Sequence, residues 1–183
     1  MSWWASRLAL GLALVSSAAC GYSLAGRGSF LPDYVKTIAI PTFTNNTKVF
    51  EFEQRLTEAV RREFIGRGKY KIVPDVTGAD AQLTGAIQAI ALTPTAFDEN
   101  RQATRYVAVI VIRVELRDLK ADKVLWENPS LEFREEFEPA TLTAAGGAGV
   151  ADASVFFGQA SNALDRMTAN FARTVVSTIL EAF

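Results

Sequence analysis

The chain has a single cysteine, Cys20, and no histidine. One thiol excludes an internal disulfide. Without imidazole there is no Ser-His-Asp triad, no Cys-His pair and no histidine-bearing zinc site. Covalent attachment is the chemistry left to Cys20, and its setting suits it. Residues 1–20 run "MSWWASRLALGLALVSSAAC": one positive charge at Arg7, an apolar stretch from Leu8 to Val15, then small residues, which is the layout of a secretory signal. The apolar stretch is far short of the roughly 20 residues that cross a bilayer as a helix. Two processing routes fit. Ala19 directly before Cys20 suits a lipoprotein peptidase, while Ser17 and Ala19 approximate the small-x-small site of the general peptidase.

The segment resembles a bacterial lipobox, with Ser17 where that motif prefers leucine. Lipidation is favoured because the cysteine is unique, because it follows the small residues directly, and because the polar "GYSLAGRG" after it makes a spacer. The plain alternative is a cysteine left in the tail of a signal. One acyl chain anchors only marginally, whereas several on one residue hold firmly, and the resemblance implies three, palmitate among them. Gly21 stands where an aspartate would resemble an inner-membrane retention signal, so the outer membrane is the expected address.

Other reactive groupings are sparse. Glu132, Glu135, Glu136 and Glu138 form the densest carboxylate cluster, but they alternate along one strand end, as a solvated edge does. No residue is assigned to catalysis or to a metal, and no cofactor is expected. Arg101 and Arg105 are candidates for an anionic ligand, since guanidinium groups match phosphate geometry. Asp98 and Glu99 adjoin them and cancel the local charge, so ordinary solvated loop charges explain them equally well. The formal charge is −1, and removing residues 1–19 leaves about −2. Nucleic acid is not an expected partner, because such proteins show a basic patch on a basic domain.

These residues must be positioned by a domain of ordinary globular composition, 49% apolar and 21% charged over 183 residues, which is enough for one core. The expected divisions are a signal at 1–19, the lipidated cysteine and a spacer at 20–34, and one domain at 35–183. "VKTIAIPTF" (35–43) predicts a short strand and "TNNTK" a turn. Phe52, Leu56, Val60 and Phe64 then recur every fourth residue, an amphipathic helix stopped by Gly66 and Gly68. "KYKIVP" follows as a strand, so the first strands form a parallel βαβ unit. "AQLTGAIQAIAL" (81–92), a loop at "TPTAFDENRQA", "TRYVAVIVIRVELRDL" (104–119) and "VLWENPSLEFREEFEP" predict an antiparallel meander, with a bulge or break at Asn128 and Pro129. After the linker "TAAGGAGVA" (143–151), Phe157, Ala160, Leu164, Met167, Phe171, Val175, Thr178 and Ala182 predict a helix over 154–182. At 1.5 Å per residue it would be about 43 Å long, beside a central strand of about 50 Å.

Two helices cover one side of a sheet, so the expected fold is α+β, a mixed sheet of four to five strands with both helices on one face. In the central strand Tyr106, Ala108, Ile110, Ile112, Val114 and Leu116 face the helices. The other side carries Val107, Val109 and Val111 between Arg105 and Arg113. Its neighbours there would be Gln82, Thr84 and Gln88 on one strand, and Glu132, Arg134 and Glu136 on the other. An apolar strip in a polar field often marks a partner site; the bland alternative is a solvated face with valines kept for strand propensity. The candidate interface is Val107, Val109, Val111, Arg113 and Arg134.

Taken in order, "CGYSLAGRG", "VKTIAIPTFTN", "FEQRLTEAVRREF", "LTGAIQAIALTPTAFDENRQATRYVAVIVIRVEL" and "VLWENPSLEFREEF" resemble the LptE family over nearly the whole chain. The resemblance implies a sheet with two helices on one side. It implies a non-enzymatic lipoprotein on the periplasmic side of the outer membrane that plugs and helps assemble the LptD barrel and contacts lipopolysaccharide, through basic residues near the strand-connecting loops. Arg101 and Arg105 are the nearest here. The competing reading is a periplasm-facing lipoprotein that holds a small or lipidic ligand between sheet and helices without an obligate barrel.

Overall fold

The computed structural model describes residues 31–101, 103–137 and 161–181. The signal, Cys20 and the spacer to residue 30, the 143–151 linker and the helix positions Phe157, Ala160 and Ala182 lie outside them. The elements are β1 (Thr37–Ala39), β2 (Thr44–Asn45), α1 (Phe52–Gly66), β3 (Lys71–Val73), β4 (Ala81–Phe97), β5 (Ala103–Asp118), β6 (Lys123–Phe137) and α2 (Ser161–Leu180).

The sheet order is β3-β1-β4-β5-β6, with β2 pairing beside β4 as a sixth, two-residue strand. β1 runs parallel to both β3 and β4, and α1 is the crossover from β1 and β2 to β3, as the βαβ pattern predicts. β4, β5 and β6 form the antiparallel meander. The fold is therefore a mixed sheet with two helices packed against it.

Burial follows the periodicity. Phe52, Leu56, Val60 and Phe64 of α1 are fully buried; each contributes about 1.5–3 kcal/mol by leaving water. Arg61 donates from Nε and Nη2 to the carbonyl of Ile40, at 3.0 and 2.7 Å, tying the polar edge of α1 to the end of β1. α1 begins without a side-chain cap, on Glu51 at φ 62°. On α2 the buried set is Leu164, Met167, Phe171, Val175 and Ile179, with Thr168, Ala172 and Val176 beside them. Thr178, expected inward, is exposed, because the 3.6-residue period carries the stripe to Ile179. The helices run parallel: Arg55 pairs with Asp165 at 2.7 Å near their starts, and Arg67 donates to Ser177 Oγ at 2.6 Å near their ends.

Two local expectations change and a third is met. β4 continues through "TPTAF" to Phe97 where a loop was expected. The strand tolerates Pro94 where β4 borders only β5, so the missing N–H leaves no neighbour unsatisfied. The "TNNTK" turn contains β2, because Asn45 turns back on itself: its Oδ1 accepts from the Thr47 amide at 2.9 Å and its Nδ2 donates to the Val49 carbonyl at 2.8 Å. Asn128 and Pro129 sit at a register shift, the bulge expected there, and β6 runs on as an edge strand.

At the end of the sheet where β1 and β4 begin, two acids hold the chain together. Asp80 accepts from the amides of Lys36 and Thr37, both at 2.9 Å, and pairs with Lys120 Nζ at 2.6 Å. Asp118 accepts from the Tyr34 hydroxyl and from the amides of Lys120 and Ala121 at 2.8 and 3.0 Å. The Lys120 ammonium, aided by the two amides, holds the Asp80 carboxyl well below its usual range. The Tyr34 hydroxyl and the turn amides lower that of Asp118.

Candidate functional site

Opposite the helices, the sheet face is uncovered by any described residue, and β5 runs along its middle. Alternation there sends Ala108, Ile110, Ile112, Val114 and Leu116 into the core, and the odd-numbered residues outward. Val107, Val109 and Val111 are half-buried on that outward side, while Arg113 is exposed. The side chains of the flanking strands account for the partial cover, as on any sheet surface.

The neighbours differ from the expected polar set. Register slips between Ile87 and Ala89 of β4, where Gln88 is the extra residue of a bulge. A bulge shifts the phase by one, which sends every following side chain to the opposite face. Below it Gln82, Thr84 and Ala86 lie outward beside Arg117, Glu115 and Arg113. Above it Ala89, Ala91 and Thr93 lie outward beside Val111, Val109 and Val107. Gln88 therefore does not continue the polar set. Ala89, Ala91 and Thr93 are exposed, so the apolar strip is two strands wide where one was expected. On the other flank Glu132, Arg134 and Glu136 lie beside Val111, Val109 and Val107, as the alternation predicts.

The charged rim is largely self-paired. Arg105 Nε meets Glu136 Oε1 at 3.0 Å, and Arg134 Nη2 meets Glu132 Oε2 at 3.0 Å. Arg117 reaches both Glu115 and Asp122 at 3.0 Å. Arg113 makes no ion pair among the described residues; it lies beside Ala86, level with the β6 shift at Pro129. Of the carboxylate cluster, Glu135 faces the helix side near Asn170 Nδ2 at 3.4 Å. Glu132 and Glu136 each have an arginine on the other face, so the described acids do not converge.

Arg101 and Arg105 are both at the β4–β5 hairpin end but are held differently. Arg101 sits in the turn at φ 60°, its amide donating to the Asp98 carbonyl at 3.0 Å, with its guanidinium unpaired among the described residues. Arg105 is on the strand beside Ala96 and engaged by Glu136. Phe97 at this end is 57% exposed. Among the described residues no three His, Cys, Asp or Glu side chains gather as a metal site requires. No described helix is long and apolar enough to cross a membrane.

The sequence pattern misses Ala89, Ala91 and Thr93 because strict alternation hides a bulge. The available signal is in "LTGAIQAIAL": continued alternation from Leu83 and Ile87 would bury Ala89 and Ala91 and expose Ile90 and Leu92. Only a phase shift at Gln88 keeps all four large residues on the core side.

Comparison with known proteins agrees with this architecture. A family model described as LptE, lipopolysaccharide-assembly, matches residues 35–179. No curated protein matches the chain. Among solved structures, lipoprotein B from Nitrosomonas europaea is similar at 12% identity and a TM-score of 0.50, over 84% of this chain and 88% of that one. The hypothetical protein CT253 from Chlamydia trachomatis is similar at 11% identity and a TM-score of 0.50, over 80% of this chain and 98% of that one. At such identities these two likenesses bear on the fold alone.

Proposed function

The chain belongs to the LptE family, with the non-enzymatic role of an outer-membrane lipoprotein, and on that premise we propose that it plugs the LptD barrel, assists the barrel's assembly and supports lipopolysaccharide transport to the outer leaflet. Lipidated Cys20 would hold it to the periplasmic side of the outer membrane once residues 1–19 are removed. The bare sheet face would be its docking surface, centred on Val107, Val109 and Val111, with Arg113 and Arg134 at the rim.

The observation that carries this reading is the family match joined to a face that the described chain leaves uncovered. Ala89, Ala91 and Thr93 on β4 beside the valines of β5 make a shallow apolar strip, and the ion pairs around it present both signs of charge. A barrel lumen is largely polar, and a mixed-charge rim around a small apolar centre suits such a wall. The geometry of attachment supports the same orientation. Tyr34 and Asp118 fasten the N-terminal approach to the end of the sheet where β4 begins, and β5 spans 16 residues, about 50 Å. The hairpin carrying Arg101 and Arg105 thus stands at the far end of the sheet from Tyr34.

The space between sheet and helices favours this over the ligand-binding alternative. Ile38, Leu83, Ile87, Ile112 and Leu116 of the sheet and Phe52, Phe64, Met167, Val175 and Ile179 of the helices are at most 1% exposed, so the described core is filled by side chains.

The deciding experiment is mild detergent extraction followed by affinity purification of the tagged full-length protein. A stoichiometric complex with a large β-barrel is expected, and Val109→Asp should weaken it while the circular dichroism spectrum stays native. Recovery of the wild-type protein free of any barrel would refute the proposal.

A further inference from the structure

The two edges of the sheet are unequal. On one side β3 presents three residues and β4, interrupted by Pro94, is open beyond Ile87; on the other β6 presents fifteen and, among the described residues, pairs only with β5. A long strand edge is a template for another strand. A closed barrel has no edge to offer in return, so the barrel wall does not meet this backbone by strand pairing.

The upper half of β6 carries a pattern that a second copy can match. Glu132, Arg134 and Glu136 alternate in sign along the open face, and Leu131, Phe133 and Glu135 lie on the helix side. In an antiparallel pair about a two-fold axis at Phe133, Glu132 lies opposite Arg134 of the second copy, and Arg134 opposite its Glu132. Moving the axis to Arg134 sets Arg134 against itself and Glu132 against Glu136. Moving it to Glu135 restores Arg134 to Glu136 but sets Glu135 against itself. Like charges directly opposite disfavour a register, so the Phe133 axis alone among the three gives opposite-charge pairs without a like-charge one. Pro129, lacking an N–H, and the adjacent shift end the pairing, and by the two-fold symmetry they do so at both ends.

α2 packs beneath β6 through Phe171, whose ring meets Phe133 edge-on at 6.0 Å, and through Asn170 near Glu135. Strands are about 4.8 Å apart and packed helices about 8–10 Å, so each helix spans about two strands. A two-fold axis normal to the sheet keeps every helix on the same side and sets the two α2 helices beside each other beneath the joined strands.

We infer that the Leu131–Glu135 edge of β6 is a self-complementary docking surface for a second copy of this chain, paired antiparallel about Phe133. This interaction belongs to the protein free of its barrel and stands independently of the function proposed above.

Sedimentation velocity of the full-length protein in detergent, purified without a barrel, tests it. The wild type should be a dimer. Glu132→Arg and Arg134→Glu should each raise the dimer dissociation constant by about ten-fold or more, and the double exchange should return it to the wild-type value. Both side chains are solvent-exposed, so all three variants should keep the wild-type circular dichroism spectrum. A second measurement fixes the register: in a Cys20→Ser background, oxidation of a Glu132→Cys and Arg134→Cys mixture should give the mixed disulfide in preference to either self-disulfide. A monomeric wild type, a dimer indifferent to both reversals, failure of the double exchange to recover, or preferred self-disulfides would each overturn the inference.

Discussion

Gly85→Ala is the substitution whose cost follows most directly from the structure. Gly85 is buried on the core side of β4, opposite Val114 of β5. A Cβ placed there would lie 2.6 Å from Phe43 Cδ2 and 2.7 Å from both Cε2 and Cγ. Those are ring atoms of a side chain only 3% exposed, so something must shift. The ring is not free to swing away. The Phe43 amide donates to Thr57 Oγ1 at 3.0 Å, and that hydroxyl donates in turn to the Glu53 carbonyl at 2.6 Å. Moving Phe43 would therefore disturb the seat of α1. Overpacking of this kind costs about 1–3 kcal/mol, and for a chain of this size each kcal/mol lowers the thermal midpoint by about 2–4 °C. Thermal unfolding of the full-length protein, followed by circular dichroism, should show a fall of roughly 2–12 °C on those figures. Phe43→Leu removes the obstructing ring, so in its background Gly85→Ala should cost far less than it does alone. An unchanged midpoint for Gly85→Ala would refute the reasoning, as would strict additivity of the two substitutions, since contacting residues are expected to couple.

The acids at the end of the sheet where β1 and β4 begin make stability depend on pH. Asp80 and Asp118 are both lowered in the folded state, so their stabilisation is fully present above the unfolded carboxylate value of about 3.9 and is lost as pH falls below it. Urea midpoints should drop on acidification below about pH 4, and Asp80→Asn should flatten that drop; an equal slope in the variant would count against the assignment. Cys20→Ala should abolish acyl labelling and release the protein from the membrane fraction, and retained labelling would remove Cys20 as the anchor. Arg101→Glu should weaken binding to lipopolysaccharide micelles more than Arg105→Gln does, because Arg105 is already engaged by Glu136. Equal, unchanged affinities would leave both as surface charge.

Much of the fold is legible from period alone. In α1 four large residues spaced by four leave no other way to bury Phe52, Leu56, Val60 and Phe64 together, and in β5 an uninterrupted alternation from Tyr106 to Leu116 fixes both faces. What escapes that reading depends on contacts distant in sequence. Asp80 and Asp118 are ordinary loop acids until β1 and β4 lie side by side and bring the Lys36 and Thr37 amides and the Tyr34 hydroxyl to them. Thr44 and Asn45 look like turn residues because a two-residue strand has no period to display. The continuation of β4 past Pro94 depends on which neighbour lies there, and local sequence does not state that.

The bulge at Gln88 shows how one local irregularity serves both sides of the sheet. Below it, β4 places Leu83 and Ile87 in the core, with Gly85 between them against Phe43. Above it, the large residues are Ile90 and Leu92, an odd number of steps from Ile87 to the first of them. Without an extra residue the core would receive Ala89 and Ala91, and two large apolar side chains would stand on the bare face. With it, Ile90 packs against the core, Leu92 is 5% exposed within it, and the bare face receives alanines. The cost is one interrupted ladder position at Gln88, whose side chain is exposed. The same slip that completes the core thus keeps the outer strip shallow beside Val107, Val109 and Val111, which lets another backbone approach closely. Core packing and the character of the docking face are in this respect a single feature of β4, since a Gln88 paired in the ladder rather than bulged out would exchange the two.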